Sequence, residues 1–277
     1  MGYARAADGT RLHYEAFGRR SAPAVLMIQG LGADKHGWDM QRFTLARHYR
    51  VIAFDNRGAG RSDKPFGPYS MEQMADDAVA VLDDAGAAGA HVVGASMGGA
   101  ISQVMALRHP SRVLSLTLAC TACRNQPWRR ALLERWMETA LQRGMGAMTG
   151  EAARWVMAPR SFRRIMPAFG WLGPLAMGRP AHSFAAQVRA ILAADEGLVE
   201  LLHTIDVPTL IIVGNQDILT PRGDSEEMAD HIPGAELVVV SGAAHGFMVE
   251  HASTFNRILK DFLQRANRAQ LDLSDAG

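Results

Sequence analysis

Along the chain, short runs of consecutive apolar residues alternate with longer stretches whose apolar residues recur every three or four positions, the pattern of strands interleaved with helices. Ala24–Ile28, Arg50–Phe54, Val92 with Val93, Val113–Ala119, 207–213 and Glu236–Val240 read as strands. Several are apolar almost throughout, as strands covered by helices on both faces must be. Ahead of them, residues 3–7 and 11–17 flank Asp8-Gly9, and Leu12, Tyr14 and Ala16 alternate with polar neighbours, which predicts an antiparallel hairpin. Helices are predicted over 38–48, over 70–85 behind a Ser70/Gln73 capping box, from Ile101 until Pro110 stops the pattern, from near Pro221, and over 252–265. The polar tail after 265 is expected to be loosely ordered. Together these elements specify an α/β fold with a mostly parallel, eight-stranded sheet flanked by helices.

The pattern changes between 122 and 203. Strand-like runs vanish there, and Trp128, Trp136, Trp155 and Trp171 appear with many Met and Arg residues among short helical patterns broken by Pro159, Pro167, Pro174 and Pro180. We read 122–203 as a helical cap inserted into a core made of 1–121 and 204–277.

Composition adds bounds. The 277 residues, 48% hydrophobic and 21% charged, can bury one large core. A formal charge of +1 gives no overall reason to expect a nucleic-acid partner. No apolar run approaches a membrane span and Met1–Thr10 has no signal-peptide core, so a cytoplasmic protein is expected. Cys120 and Cys123 lack further ligands at zinc spacing and read as small buried thiols. Charge is uneven: between 122 and 189 there are eleven arginines and no lysine against Glu134, Glu138 and Glu151. Those arginines either form a solvated outer face or draw in an anionic substrate group or lipid surface; the Trp and Met residues then line an apolar pocket.

Candidate chemistry centres on Gly94-Ala95-Ser96-Met97-Gly98, where a predicted strand meets a predicted helix. Gly94 and Gly98 clear the space a sharp reversal needs, so Ser96 occupies a strained bend with its hydroxyl exposed. After Ala24–Ile28, the glycines of Gln29-Gly30-Leu31-Gly32 let backbone amides converge on one point, and the NH groups of Leu31 and Met97 are the candidate oxyanion donors, with Gly30 beside the substrate. His245 is the candidate base because it follows the last strand in a glycine-flanked loop, unlike His203, His231 and His251 on helical stretches. Asp217 ends the strand before it and is the candidate orienting acid. The rival Asp224 reads as a first-turn helix charge. Residues 55–62 carry glycines and charges without a phosphate-loop lysine, and read as a turn held by hydrogen bonds of Asp55 and Arg57.

With these pieces in place the chain resembles the α/β-hydrolase fold family, in the cap-bearing branch of small carboxylesterases, enol-lactonases, carbon-carbon bond hydrolases and cofactor-free haloperoxidases. The likeness rests on Gly94-Ala95-Ser96-Met97-Gly98-Gly99, Gln29-Gly30-Leu31-Gly32, residues 55–62, Gly214-Asn215-Gln216-Asp217 and Gly242-Ala243-Ala244-His245. The family usually carries histidine where this chain has Gln29. The resemblance implies a Ser96–His245–Asp217 triad, no metal and no cofactor. It leads us to expect hydrolysis of a small or medium carboxylic ester with an apolar acyl part, with Trp128, Trp136 and Trp155 lining the acyl pocket. Lactonase, thioesterase and carbon-carbon hydrolase activities use the same machinery, and a small-molecule receptor on this scaffold is the reading from another class.

Overall fold

The computed structural model describes residues 1–161, 163, 180–194 and 197–275. Pro167, Trp171 and Pro174, named above, lie outside them, as do two of the eleven arginines, Arg164 and Arg179. Among the described residues β1 (Gly2–Arg5), β2 (Arg11–Phe17), β3 (Ala24–Ile28), β4 (Arg50–Phe54), β5 (Ala90–Ala95), β6 (Val113–Ala119), β7 (Thr209–Gly214) and β8 (Glu236–Val240) form one sheet in the order β1-β2-β4-β3-β5-β6-β7-β8. β2 pairs antiparallel with both β1 and β4, and every other neighbouring pair is parallel. The predicted hairpin is present, with Gly9 at φ 84° in its turn. The seventh strand starts two residues later than its apolar run because Pro208 has no NH to give a ladder; its carbonyl instead accepts from Leu116.

Both faces of the sheet are covered, and the period of two along each strand divides one apolar run between two cores. Leu26 and Ile28 face α2 (Met71–Ala85) and α3 (Met97–Arg108), where Met74, Ala78, Leu82 and Ile101 are buried. Val25 and Met27 face the other way, toward α1 (Asp39–Leu45) and the last helix, where Trp38, Leu45, Phe255 and Leu259 close the second core. Full burial contributes about 1.5–3 kcal/mol for each large side chain, so both faces stabilise the sheet that holds the site.

Three helix boundaries differ from expectation. A 3-10 turn, Lys35–Trp38, precedes α1 because the Asp34 carboxylate accepts the His36 NH at 3.0 Å and starts the turn early, and α1 then ends at Leu45 rather than His48. The Ser70 hydroxyl accepts the Gln73 NH at 3.1 Å, but the Gln73 amide donates to Asp8 instead of closing the box. The final helix is Ala252–Asp275, so most of the tail expected to be loose continues it, since no Gly or Pro interrupts the sequence before Gly277.

Residues 55–62 form the hydrogen-bonded turn expected of them. Asp55 accepts the backbone NH groups of Lys35 at 2.8 Å and Arg61 at 2.9 Å. Arg57, 2% exposed, forks onto Asp77 at 2.5 and 2.7 Å and reaches Asp8 at 2.8 Å. The hydrogen bond from Arg57 holds the Asp8 carboxyl down at about 2. Breaking a buried pair of this kind costs about 3–5 kcal/mol, which makes the turn a rigid wall beside the sheet.

Between β6 and β7 lie α4 (Pro127–Arg143), α5 (Met145–Val156), α6 (Ala181–Ala193), the short α7 (Leu198–Leu201) and a 3-10 turn, Leu202–Thr204. Leu133, Trp136, Met148, Phe184 and Val188 form a third apolar cluster, separate from the two cores and closed from below by Leu219. After β7 come α8 (Arg222–His231), α9 (Phe247–Glu250) and α10 (Ala252–Asp275). Among the described residues no helix is long and apolar enough to cross a membrane.

Candidate active site

β5 ends at Ala95 and α3 starts at Met97, which leaves Ser96 alone at the bend with φ 54° and ψ −121°. A non-glycine residue adopts positive φ only where its surroundings impose it. Here the imposition is close packing. A Cβ on Gly94 would collide with the Gly98 carbonyl and the Ser102 hydroxyl, and one on Gly98 would collide with the Ile28 carbonyl. The start of α3 therefore lies directly on the end of β3, beside Gln29-Gly30-Leu31-Gly32. Thr121, after β6, donates its hydroxyl to the Ser96 carbonyl at 2.7 Å, and the Ser96 NH donates to the Ala119 carbonyl at 2.9 Å, pinning the bend from the other side.

The loop after β3 presents a set of amides in different states. Gly30 NH donates to Gln29 Oε1 at 2.8 Å and Gly32 NH to Gln187 Oε1 at 2.9 Å. Among the described residues neither Leu31 NH nor Met97 NH donates to a protein acceptor. Met97 opens α3, whose first-turn amides have no partner within the helix. Both residues line the cavity that Ser96 enters. Gln29 thus engages a backbone amide of this loop at the position where the family usually has histidine.

β7 delivers Asp217 and the loop after β8 delivers His245. The His245 Nδ1–H donates to Asp217 Oδ2 at 2.9 Å, the tautomer that a carboxylate acceptor requires, and this leaves Nε2 as the acceptor nitrogen. Asp217 is 5% exposed and fully engaged: Oδ1 accepts the NH groups of Leu219 and Thr220, both at 2.9 Å, and Oδ2 accepts the Thr220 hydroxyl at 2.8 Å. Burial alone would raise its pKa; the charge and hydrogen bond of His245, with those of Thr220, outweigh burial and hold the carboxyl below its ordinary value. Thr220 Oγ1 also lies 3.2 Å from His245 Nδ1, so it touches both members of the pair.

The rivals are engaged elsewhere. His203 and His231 donate from Nδ1 to the carbonyls of Glu200 and Glu227, and His251 sits at the junction of α9 and α10. Asp224 is buried and forked by Arg129 at 2.6 and 3.2 Å. It stands in the first turn of α8, as the sequence suggests, and Arg129 of α4 covers it there. Cys120 and Cys123 are buried free thiols, and burial raises both, Cys123 to about 12.

Ser96 and His245 open into one cavity of about 750 Å³, roofed by α4, α5 and α6. Leu133, Trp136, Met145, Met148, Met157 and Phe184 make its wall largely apolar, and Gly30 lies on its floor against the Ser96 Cβ. Trp136 is one of its lining residues. Trp128 and Trp155 are not among the lining residues: they stack on each other with centroids 6.1 Å apart, and Trp128 is 41% exposed. Among the described residues Arg129 pairs with Asp224, Arg124 with Glu227, and Arg135 and Arg143 with Glu151. Thr220 and Gln187 escaped the sequence reading. Gln187 meets its partner Gly32 across 155 residues, and no spacing rule connects such a pair.

A serine at a strand-to-helix bend of a mostly parallel sheet, in one cavity with a buried histidine–aspartate pair, is the arrangement of a class of α/β hydrolytic enzyme. The family model for the alpha/beta hydrolase fold matches residues 23–252, and the chain belongs to that family and is a hydrolase. Among curated proteins it is 32% identical to a proposed carbamate hydrolase, RutD, of Caulobacter vibrioides, across 92% of this chain and 96% of that one. It is 30% identical to 3-oxoadipate enol-lactonase 2 of Acinetobacter baylyi, across 94% and 96%. Among solved structures it superimposes on the enol-lactonase of Burkholderia xenovorans LB400 with a TM-score of 0.87, at 31% identity, covering 95% of this chain and 99% of that one.

Proposed function

We propose that the protein is a serine hydrolase of small or medium carboxylic esters, acting through an acyl-enzyme on Ser96 in a core of 1–121 and 204–277 under a cap of 122–203. One observation carries the reading: a serine held at φ 54° shares a single cavity with a histidine whose other nitrogen is fixed by a buried carboxylate. Ser96 Oγ attacks the ester carbonyl carbon as His245 Nε2 takes the hydroxyl proton, and Asp217 stabilises the imidazolium. The negative oxygen of the tetrahedral intermediate accepts from the Leu31 and Met97 amides. The C–O bond to the alcohol then breaks and the imidazolium gives its proton to the leaving oxygen. Water, deprotonated by His245, attacks the acyl carbon; the Ser96 Oγ–C bond breaks, the proton returns to serine, and a carboxylic acid leaves. The apolar cavity wall holds the acyl part. Of the arginines lining it, Arg124 and Arg129 are paired with carboxylates and Arg130 donates to the Leu192 carbonyl, so an uncharged ester suits the chamber.

A second reading is a cyclic ester, a lactone, which the same steps open without releasing a separate alcohol. The enol-lactonases of Acinetobacter baylyi and Burkholderia xenovorans among the similar proteins favour it. A panel of linear esters, lactones, thioesters and vinylogous diketones, assayed with the wild type and Ser96→Ala, tests both readings. Serine-dependent turnover should be greatest on linear esters with apolar acyl chains. A kcat/KM at least tenfold higher on lactones would move the assignment to the second reading. Tight binding of panel members without any turnover would make the protein a receptor.

A further inference from the structure

The cap touches each of the three loops that carry the proposed chemistry. The Val156 carbonyl at the end of α5 accepts from Gly246, next to His245, at 2.7 Å. Arg129 of α4 donates to the Leu219 carbonyl, two residues from Asp217, at 3.0 Å. Gln187 of α6 accepts from Gly32, next to Leu31, at 2.9 Å. The first two reach loops that are already fixed by the His245–Asp217 pair and by the amides bonded to Asp217. The third reaches a turn closed by one backbone bond, Ala33 NH to the Gly30 carbonyl at 3.1 Å, with Leu31 and Gly32 at its centre and a glycine at two of its first three positions, where the backbone has the most freedom.

We propose that Gln187 is a positioning residue for the oxyanion donor, setting the Leu31 amide from the cap. Its side chain is 1% exposed and engaged at both ends: Oε1 accepts Gly32 NH at 2.9 Å, and Nε2 donates to the Arg57 carbonyl at 2.8 Å. A donor on one side and an acceptor on the other fix which end of the amide is which. The Arg57 end does not move, because the guanidinium of that residue is forked onto buried Asp77 and bonded to Asp8. Gln187 therefore ties Gly32 to a rigid wall. From the opposite side Gln29 Oε1 engages Gly30 NH at 2.8 Å, and Gly37 packs so closely against the Gln29 amide that a Cβ there would collide with it. Two glutamines thus bracket the loop. Each removes a flanking amide from competition, and among the described residues the amide between them, Leu31 NH, has no protein acceptor, while Leu31 and Met97 both line the cavity. Without the Gln187 contact, the Ala33 bond to the Gly30 carbonyl would be left to hold the turn, and Gly32 NH could swing toward the cavity and shift the Leu31 amide from its place. Displacing a catalytic group by about 1 Å can cost on the order of 10²-fold in rate, and losing an oxyanion donor outright about 10²- to 10³-fold. Because Gln187 sits on the cap, the donor geometry is complete only when α6 is seated.

The proposal rests on the serine-hydrolase reading, and the two can fail separately. Turnover surviving Ser96→Ala would remove that reading whatever Gln187 does; an inert Gln187 in an enzyme silenced by Ser96→Ala would remove only this proposal. The variants are Gln187→Leu, of similar volume with neither polar end, and Gln187→Ser, which leaves room for water to bond the buried Arg57 carbonyl and so keeps the fold if the leucine variant loses it. Steady-state kinetics on an uncharged ester should show kcat lowered about 10- to 100-fold with KM within about twofold of wild type. Affinity for a trifluoromethyl ketone analogue, whose hemiketal oxygen needs the same amides, should fall in parallel with kcat/KM. A folded variant with wild-type kcat and wild-type ketone affinity would overturn the proposal. So would a loss confined to KM, which would make Gln187 part of the pocket wall.

Discussion

Ser96→Ala is expected to lower kcat on the order of 10⁶-fold while leaving the melting temperature within a few degrees of wild type. The size follows from the role: with no Oγ there is no acyl-enzyme, and the remaining amides and cavity supply only the residual rate that serine-less triads retain. The fold survives because the bend is imposed by its neighbours. Gly94 and Gly98 clear the space, Thr121 holds the Ser96 carbonyl, and the Ser96 NH is bonded to Ala119. Alanine meets the same cost at φ 54° as serine does, and the serine hydroxyl is not needed for any of these contacts. Activity within tenfold of wild type, measured on the best ester of the panel, would place the nucleophile elsewhere.

Removing the proposed base or its proposed orienting acid should produce the next largest losses: His245→Ala approaches the serine variant, and Asp217→Asn falls on the order of 10⁴-fold. Asparagine can offer its NH₂ group to His245 Nδ1, which would then have to accept, placing the proton on Nε2 where the serine needs an acceptor. Asp224→Asn is the control. Its carboxylate is held by Arg129 and not by a histidine, so it should loosen α4 without approaching that loss. The pH profile carries the same assignment. Asp217 is held below its ordinary value and so remains ionised from mildly acid pH upward. On account of Asp217, kcat/KM should therefore show no loss until the pH falls through that lowered value, where the carboxyl takes up a proton and no longer holds the imidazole. Wild-type turnover by Asp217→Asn, with Asp224→Asn inactive, would reverse the two aspartates.

Legibility in the sequence followed the range of the interaction. Ser96 stood out because glycines two residues either side of it, a buried strand and a helix start are all local, and the same is true of the strands around Asp217 and His245. The antiparallel opening and the hydrogen-bonded turn at 55–62 were readable for that reason. Whatever depends on which helix lands on which loop was not. Asp224 reads as a helix charge until α4 brings Arg129 onto it, and Gln187 reads as one polar residue on an apolar helix until α6 lies over Gly32. Trp128 and Trp155 illustrate the converse: aromatic content suggested a pocket wall, but the helical turn points them at each other, and Trp136 alone of the three lines the cavity. The last helix reads as ending near 265 because polar residues follow it, but no glycine or proline comes before Gly277 and the helix runs on to Asp275.

The most direct measurement of the central claim is covalent labelling with a fluorophosphonate, followed by intact mass and peptide mapping. One adduct per chain, on the peptide carrying Ser96, with loss of ester hydrolysis in proportion to labelling and no adduct on Ser96→Ala, is the result predicted here. An unlabelled wild-type enzyme that still hydrolyses esters, or an adduct on a residue other than Ser96, would contradict it.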